Sequence, residues 1–245
     1  MPRLLESALE LLYPTRCAVC EAPGEVLCAP CAQHLTYINQ ATSCRYCGAP
    51  YGRALCTECI EREGRRAFSF SEARCVFELS NPLRRLILAY KDANERRLAE
   101  YFARFLATAL PLEWRLWADA LTWVPADQHA LRQRGFDHVG LIVRHLAVLT
   151  GLPARPLLVK LPGTDQRGLT RAQRFQNSQL LFSPLERPTE GRGQAEAHGH
   201  PQGRGQNIIL VDDVLTTGAT LDAAAACLLA SGTADVRALC LARTW

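Results

Sequence analysis

The first quarter of the chain carries four Cys-x-x-Cys pairs separated by short loops. They account for eight of its 11 cysteines, namely Cys17/Cys20, Cys28/Cys31, Cys44/Cys47 and Cys56/Cys59. A Cys-x-x-Cys turn places two thiolates on one side of a tight knuckle, and two such knuckles complete the tetrahedral sulfur shell that Zn²⁺ prefers. The spacing therefore predicts two structural zinc sites of four thiolates each. Which pairs share a site stays open.

Other uses of paired cysteines fit less well. A disulfide framework is disfavoured because the N-terminal segment lacks the apolar core and cleavage site of a signal peptide, and the cytosol keeps thiols reduced. A redox pair needs one Cys-x-x-Cys beside a thioredoxin-like strand and helix, which four successive pairs do not resemble. An iron–sulfur cluster remains an alternative, because sets of four cysteines also hold iron.

The cysteine-rich segment contains few large apolar side chains, so metal binding would supply folding free energy that a hydrophobic core cannot. We predict a small N-terminal domain at 1–62, a short amphipathic helix at 4–13 followed by a double zinc ribbon. The three remaining cysteines, Cys75, Cys227 and Cys240, stand in apolar patterns and are expected to be buried small hydrophobes.

Charge and hydropathy narrow the class of protein. No apolar run approaches the roughly 18 to 20 residues that span a bilayer, so we expect a cytoplasmic chain without membrane insertion. The net charge of +4 is too slight to indicate a nucleic-acid binder by field strength. Only Lys91 and Lys160 are lysines; the other cations are arginines.

Residues 63–245 alternate predicted strands and helices, which indicates an α/β domain with a largely parallel sheet covered on both faces. The predicted strands are 72–79, 120–124, 155–159, 207–211 and 235–242. The predicted helices are one whose N-cap is Asn81 and three others at 95–110, 137–150 and 219–230. Residues 186–206 are rich in Gly, Pro, Arg, Gln and His and show no apolar periodicity, which predicts a disordered insert.

The segment NIILVDDVLTTGAT, at 207–220, predicts a site at the carboxyl end of a buried strand. The predicted polar loop at 212–218 offers hydroxyl donors, a glycine that allows close backbone approach, and the N–H groups of a helix starting near Ala219, all of which suit a phosphate. The hydroxyl donors and the glycine are Thr216, Thr217, Thr220 and Gly218. The alternative is an ordinary polar strand-to-helix turn.

The two carboxylates of this segment, Asp212 and Asp213, would repel a phosphate. They are therefore expected to accept hydrogen bonds from sugar hydroxyls or to hold Mg²⁺ indirectly. Two adjacent carboxylates that repel each other do not favour folding, so neutralising either is expected to cost little stability.

The segment resembles the phosphoribosyl-pyrophosphate signature of type I phosphoribosyltransferases, and the wider chain resembles the ComF/ComFC-like proteins of bacterial competence and DNA utilisation. The motifs that carry the wider resemblance are the N-terminal knuckles, YK at Tyr90/Lys91, LRQRGF at Leu131–Phe136, DQRGLTRAQRFQN at Asp165–Asn177 and a terminal LART. The resemblance implies a type I phosphoribosyltransferase-like fold with a mostly parallel sheet flanked by helices.

The resemblance also implies roles for residues. Asp212 and Asp213 would contact ribose hydroxyls, residues 216–220 would cradle the 5′-phosphate, and Lys91, Arg132 and Arg134 would be substrate-binding cations. The substrate implied is 5-phosphoribosyl 1-pyrophosphate (PRPP) with Mg²⁺. Without the resemblance, Arg132 and Arg134 could equally belong to a solvated helix face.

This sequence departs from the family in the loop after Val124 and in the two residues after RGF, which are Asp137 and His138 here. A carboxylate at Asp127 or Asp137 beside a pyrophosphate would weaken anion binding unless a metal ion lies between them. Two functional hypotheses follow: a phosphoribosyltransferase-like enzyme, or a non-catalytic zinc-containing adaptor that binds single-stranded DNA or DNA-processing proteins.

Overall fold

The computed structural model describes residues 14–51, 55–63, 68–162, 181–185 and 203–244, with the backbone alone for 61–63. The predicted helix at 4–13, the motif at 165–177 and most of the predicted insert lie outside these residues. Residues 203–206 were also assigned to the insert, but they form a turn in which Gly205 N donates to Gly232 O at 2.7 Å. That prediction of disorder is therefore wrong for the last four residues of 186–206.

Four of the described strands form the central sheet, in the order β1-β6-β5-β2 with every pair parallel, and β3 and β4 form a separate antiparallel pair. The strands are β1 (Glu72–Glu78), β2 (Ala120–Trp123), β3 (Leu158–Lys160), β4 (Phe182–Pro184), β5 (Asn207–Leu215) and β6 (Asp235–Arg243). The predicted α/β class and parallel sheet are confirmed.

Helices cover both faces of this sheet. The described helices are α1 (Ala29–Gln33), α2 (Thr57–Glu63), α3 (Asn81–Lys91), α4 (Leu98–Ala109), α5 (Leu112–Trp117), α6 (Gln128–Arg134), α7 (His138–Thr150) and α8 (Ala219–Ala230). On one face, residues of α3, α4 and α7 pack with Ile209 and Val211 of β5. On the other face, α8 packs with Ile208 and Leu210. The continuous apolar run of β5 is explained by this burial on both sides.

Strand β5 is four residues longer than the predicted strand, because its pairing with β6 continues to Leu215 opposite Arg243. Asp212 and Asp213 therefore lie within the strand, and the prediction of a polar loop from residue 212 is wrong. Helix α3 also differs at its start: the N-cap residue is Ser80, and Asn81 is the first helical residue. Helices α5 and α6 were not predicted, because six or seven residues are too few to show a clear helical period.

The cysteine-rich segment packs on the α/β domain and has little core of its own. Val26, Leu27 and Leu35 are buried in the same cluster as Leu86 and Phe102 of α3 and α4. This arrangement agrees with the prediction that the segment cannot build a separate hydrophobic core.

The three cysteines outside the Cys-x-x-Cys pairs agree only in part with the prediction that they are buried. Cys75 and Cys240 are fully buried opposite each other in β1 and β6, whereas Cys227 is only half-buried. Among the described residues, no helix has both the length and the apolar character needed to cross a bilayer.

Candidate functional site

Two clusters of four cysteines form in the order of the sequence. In each cluster the four sulfur atoms lie within 4.8 Å of one another. The first tetrad is Cys17, Cys20, Cys28 and Cys31, and the second tetrad is Cys44, Cys47, Cys56 and Cys59. Four convergent thiols at this spacing fit a tetrahedral Zn²⁺ with Zn–S bonds of about 2.3 Å. The pairing of knuckles that the sequence left open is thus sequential.

The two tetrads differ in burial. All four cysteines of the second tetrad are buried, whereas in the first tetrad Cys20 is exposed and Cys28 and Cys31 are half-buried. The hydrogen bond from Cys47 holds the pKa of the Cys44 thiol below its ordinary value despite burial. A lowered thiol pKa favours the thiolate, which is the form that binds a metal.

Asp213 is buried on the face of β5 covered by α3 and α7. Its Oδ2 forms an ion pair with Lys91 Nζ and lies 3.1 Å from His138 Nε2. Burial alone would raise the pKa of Asp213, but the hydrogen bond from His138 and the charge of Lys91 outweigh it and hold that pKa well below its usual range. Asp213 is therefore an ionised, internally paired carboxylate, and His138 is further held by Tyr90, whose hydroxyl donates to its backbone oxygen at 2.6 Å.

Asp212 lies on the opposite face of β5, because successive side chains of a strand point to opposite sides. Its Oδ1 accepts a hydrogen bond from the backbone N–H of Asp213 at 2.8 Å. Burial raises the pKa of Asp212, and the neighbouring charge of Asp213 raises it further, while Lys91 and Lys160 act against this rise. The two carboxylates thus occupy different environments although they are adjacent in sequence.

The segment from Thr216 to Thr220 connects β5 to α8, and its side chains point towards solvent. Thr216, Thr217, Ala219 and Thr220 are exposed, whereas Gly218 is buried. Gly218 has a φ of 81° and is the N-cap residue of α8; it has no side chain to cap the helix, and Thr217 Oγ1 accepts from Ala219 N at 3.4 Å. A helix N-terminus that begins with such a turn suits a phosphate group. We call residues 216–220 the phosphate loop.

The predicted cations are placed differently from one another. Lys91 lines a cavity of about 300 Å³ with Asp92, Asn94, Gln133 and Arg134, and Arg134 Nη2 lies 3.7 Å from Asp92 Oδ1. Arg132 lies on α6 with Arg134, but its side chain is exposed and does not line this cavity. The structure therefore brings Lys91 and Arg134 together.

Asp127 and Asp137, the two departures from the family pattern, are helix caps. Asp127 accepts from Ala130 N at 2.7 Å at the start of α6, and this bond lowers its pKa. Asp137 accepts from Gly140 N at 3.1 Å at the start of α7, and its other oxygen accepts from Trp123 Nε1 at 2.6 Å. These bonds give both carboxylates a structural role but leave their negative charges in place, and Lys160 Nζ, 4.0 Å from Asp127 Oδ2, offsets one of them.

Sequence reasoning missed two residues of this site. His138 appeared only as a departure from a motif, and its contact with Asp213 spans 75 positions. Lys160 ends β3, and its positive charge acts against the raised pKa of Asp212. The rarity of lysine in an arginine-rich chain is a signal that could have identified Lys160.

Comparisons with known families match both parts of the chain. Residues 8–60 match the double zinc ribbon domain, and residues 152–244 match the phosphoribosyl transferase domain. The second match contains β5, the phosphate loop, α8 and β6. The predicted zinc-ribbon domain and phosphoribosyltransferase domain are thereby confirmed.

Similar proteins are found over most of the length. The DNA utilization protein YhgH of Salmonella typhi is 26% identical over 96% of this chain and 99% of its own length. The competence protein ComFC of Bacillus subtilis (strain 168) is 25% identical over 86% of this chain and 81% of its own length.

Among solved structures, the allosteric regulatory enzyme of purine biosynthesis matches with a TM-score of 0.39 and 18% identity. The match covers 59% of this chain and 25% of that enzyme. Such a score is too low to support an argument, so the family matches and the relatives decide the assignment. The chain is therefore similar to YhgH and ComFC over most of its length, and its match to the double zinc ribbon domain precedes its match to the phosphoribosyl transferase domain.

Proposed function

We propose that the chain binds PRPP with Mg²⁺ at the carboxyl edge of its sheet and transfers the phosphoribosyl group. The observation that carries this proposal is the order of groups along β5 and α8. Asp212 comes near the end of a buried strand, and the strand leads through the phosphate loop into a helix N-terminus. The family match over this segment supports the same function.

Each group has a role in this proposal. The phosphate loop holds the 5′-phosphate, and Asp212 accepts hydrogen bonds from the ribose hydroxyls. Asp213 keeps Lys91 and His138 in place beside the pocket. Lys91, Lys160 and Arg134 supply positive charge for the pyrophosphate, and Mg²⁺ bound with the substrate would neutralise further charge on the leaving group.

In the reaction, an acceptor nucleophile forms a bond to the anomeric carbon while the bond from that carbon to the pyrophosphate oxygen breaks. The bonding electron pair leaves with the pyrophosphate. Positive charge develops on the ribose ring, which positioning and the nearby carboxylate of Asp212 stabilise. The chemistry asks the protein mainly for orientation and electrostatics.

Calorimetric titration with PRPP, with and without Mg²⁺, and with ribose 5-phosphate tests the proposal. At a pH above the raised pKa of Asp212, Asp212→Asn should weaken PRPP binding by roughly tenfold to a hundredfold, because the ionised carboxylate then makes a charge-assisted hydrogen bond, which contributes about 1.5–3 kcal/mol. Thr217→Val should weaken both ligands, and the matched variant Thr108→Val, on the exposed side of α4, should weaken neither. Wild-type affinity in Asp212→Asn, or no PRPP binding by the wild type, would overturn the proposal.

A second candidate function is binding of single-stranded DNA, and one cavity favours it. Arg96, Arg97, Arg144 and His145 line a cavity of about 670 Å³ together with the carboxylates of Glu100 and Asp137, and the Arg96 guanidinium lies 4.7 Å from the centre of the buried Phe136 ring. Cations beside an aromatic ring suit nucleic acid. The relatives' names refer to DNA utilization and competence. Fluorescence anisotropy with labelled single-stranded DNA should show weaker binding for Arg144→Ala; equal binding by this variant and the wild type would reject the cavity.

A further inference from the structure

Arg243, near the end of β6, joins the second tetrad to the phosphate loop. Its side chain is 4% exposed. Its guanidinium donates to Cys47 O at 3.2 Å and to Thr216 O at 2.5 Å, and it reaches the Glu58 carboxylate at 3.4 Å. A guanidinium carries five N–H donors in a fixed plane, and burial requires that they find acceptors. The knuckle and the loop supply acceptors to the same buried group.

Phe68 makes a second, independent connection. It packs against the buried cysteines of the second tetrad and lies over Gly218 so closely that a Cβ at that glycine would be 2.6 Å from the ring. The ring stacks on Phe70 with centroids 4.5 Å apart. The next residue, Ser69, donates its backbone N–H to Asp222 of α8 at 2.6 Å. The loop's glycine and the first turn of α8 are thus held from the side of the tetrad.

The Cys44–Cys47 knuckle of the second tetrad packs against β1 of the sheet. A Cβ at Gly48, between the knuckle and β1, would lie 2.8 Å from Cys75 Sγ. Arg45 O accepts a hydrogen bond from Ala73 N of β1 at 3.0 Å. Movement of this knuckle would therefore disturb β1 and the contacts of Arg243 together.

The first tetrad is connected to a different part of the domain. Arg85 of α3 donates to Val19 O at 2.7 Å, and Arg97 donates to Thr15 Oγ1 at 2.8 Å. These contacts tie the first knuckle to α3 and to the residue before α4. The two tetrads thus contact different regions of the phosphoribosyltransferase domain.

We propose that the second tetrad, when it holds its metal, keeps the phosphate loop in its ligand-binding conformation through Arg243 and Phe68. The inference rests on the proposed function, since it assigns positioning residues to the same phosphate site. A metal-bound knuckle is a rigid platform, because coordination fixes the four sulfurs and supplies folding free energy. Arg243 transmits that rigidity to the carbonyl of Thr216, and Phe68 holds the turn at Gly218. The first tetrad stabilises the α3 side of the domain and leaves the loop unaffected.

The test compares Arg243→Lys with the matched variant Arg85→Lys. Both arginines donate to a backbone carbonyl of a knuckle, but only Arg243 also reaches the loop. Lysine keeps the charge and loses the planar fork. Arg243→Lys should weaken ribose 5-phosphate binding by about tenfold and speed amide hydrogen exchange in residues 214–222, measured without ligand, by a similar factor. Arg85→Lys should change neither by more than about twofold.

Two further variants keep the test decisive if Arg243→Lys folds poorly. Cys59→Ser and Cys20→Ser should each lose one zinc, but only Cys59→Ser should speed exchange in the loop by about tenfold. Phe68→Ala should retain both zinc ions and still speed loop exchange. Equal loop exchange in Cys59→Ser and Cys20→Ser, or wild-type exchange in both Arg243→Lys and Phe68→Ala, would overturn the proposal. Because exchange is measured without ligand, failure of the wild type to bind ribose 5-phosphate would reject the proposed function alone.

Discussion

His138 Nε2 lies 3.1 Å from Asp213 Oδ2, and the same carboxylate oxygen forms an ion pair with Lys91. Asp213 and His138 are buried, with exposed fractions of 9% and 8%, whereas the Lys91 side chain is 20% exposed. Asp213 is thus part of an internal polar network between β5, α3 and α7. Asp212, one residue earlier, instead accepts a hydrogen bond from the backbone N–H of Asp213 in its own strand.

We predict that the two carboxylates differ in their effect on stability. Asp213→Asn should lower the free energy of unfolding by about 3 kcal/mol, because it leaves the half-buried Lys91 without its counter-charge. Asp212→Asn should leave that free energy unchanged or raise it, because it removes repulsion between neighbouring charges. Urea unfolding of both variants measures this. Equal losses would contradict it and would also restore the expectation, drawn from the sequence, that the two residues are equivalent.

The raised pKa of Asp212 predicts a pH dependence. A carboxyl whose pKa is higher in the folded state than in the unfolded state contributes stability at pH values below the unfolded pKa, and this contribution is lost as the pH rises through the folded pKa. The wild type should therefore lose stability as the pH rises above about 4, the usual Asp pKa. Asp212→Asn lacks this loss, so its stability relative to the wild type should grow with pH. Thermal unfolding in Mg²⁺-free buffer between pH 6 and 9 checks the trend, and a constant difference would refute it.

The two tetrads predict two zinc ions per chain that leave at different rates. A chelator should remove metal from the first tetrad faster, because Cys20 is exposed whereas the four cysteines of the second tetrad are buried. Elemental analysis and a chelator absorbance assay measure the amount and the two phases. Cys44→Ser should lose the slow phase and Cys20→Ser the fast one. One metal per chain, or iron in place of zinc, would contradict the assignment.

The caps at Asp127 and Asp137 predict unequal losses of stability. Asp127→Ala should cost about 1 kcal/mol, the usual contribution of an N-cap side chain. Asp137→Ala should cost about twice as much, because it also removes the acceptor of the Trp123 indole N–H. Asp137→Asn is the matched control, since asparagine caps a helix as well as aspartate does. Chemical unfolding of the three variants measures the differences, and a larger loss for Asp127→Ala would show that the indole contact is unimportant.

Much of the architecture could be predicted because its signals are local. The β5 run at 207–211 shows a buried strand, and the leucines and alanines of α8 show a helix, since each side-chain pattern extends over enough residues to be recognised. The predicted ends of strands were less accurate where pairing with a neighbouring strand sets the true end. Strand β5 continues through two aspartates because it pairs with β6. The short helices α5 and α6 have too few residues for a period and depend on their caps and packing.

The sequence by itself determined the four Cys-x-x-Cys pairs, the α/β class and the strand–loop–helix segment, because each depends on the spacing of residues that are close together along the chain. Tertiary structure decided which cysteine pairs form each tetrad, which carboxylate is paired with Lys91 and which tetrad contacts the phosphate loop. His138 meets Asp213 across 75 positions, and Arg243 meets Cys47 across 196. Such contacts leave no periodic trace in a single sequence, because burial and hydrogen bonding between distant residues are established only when the sheet and its covering layers assemble.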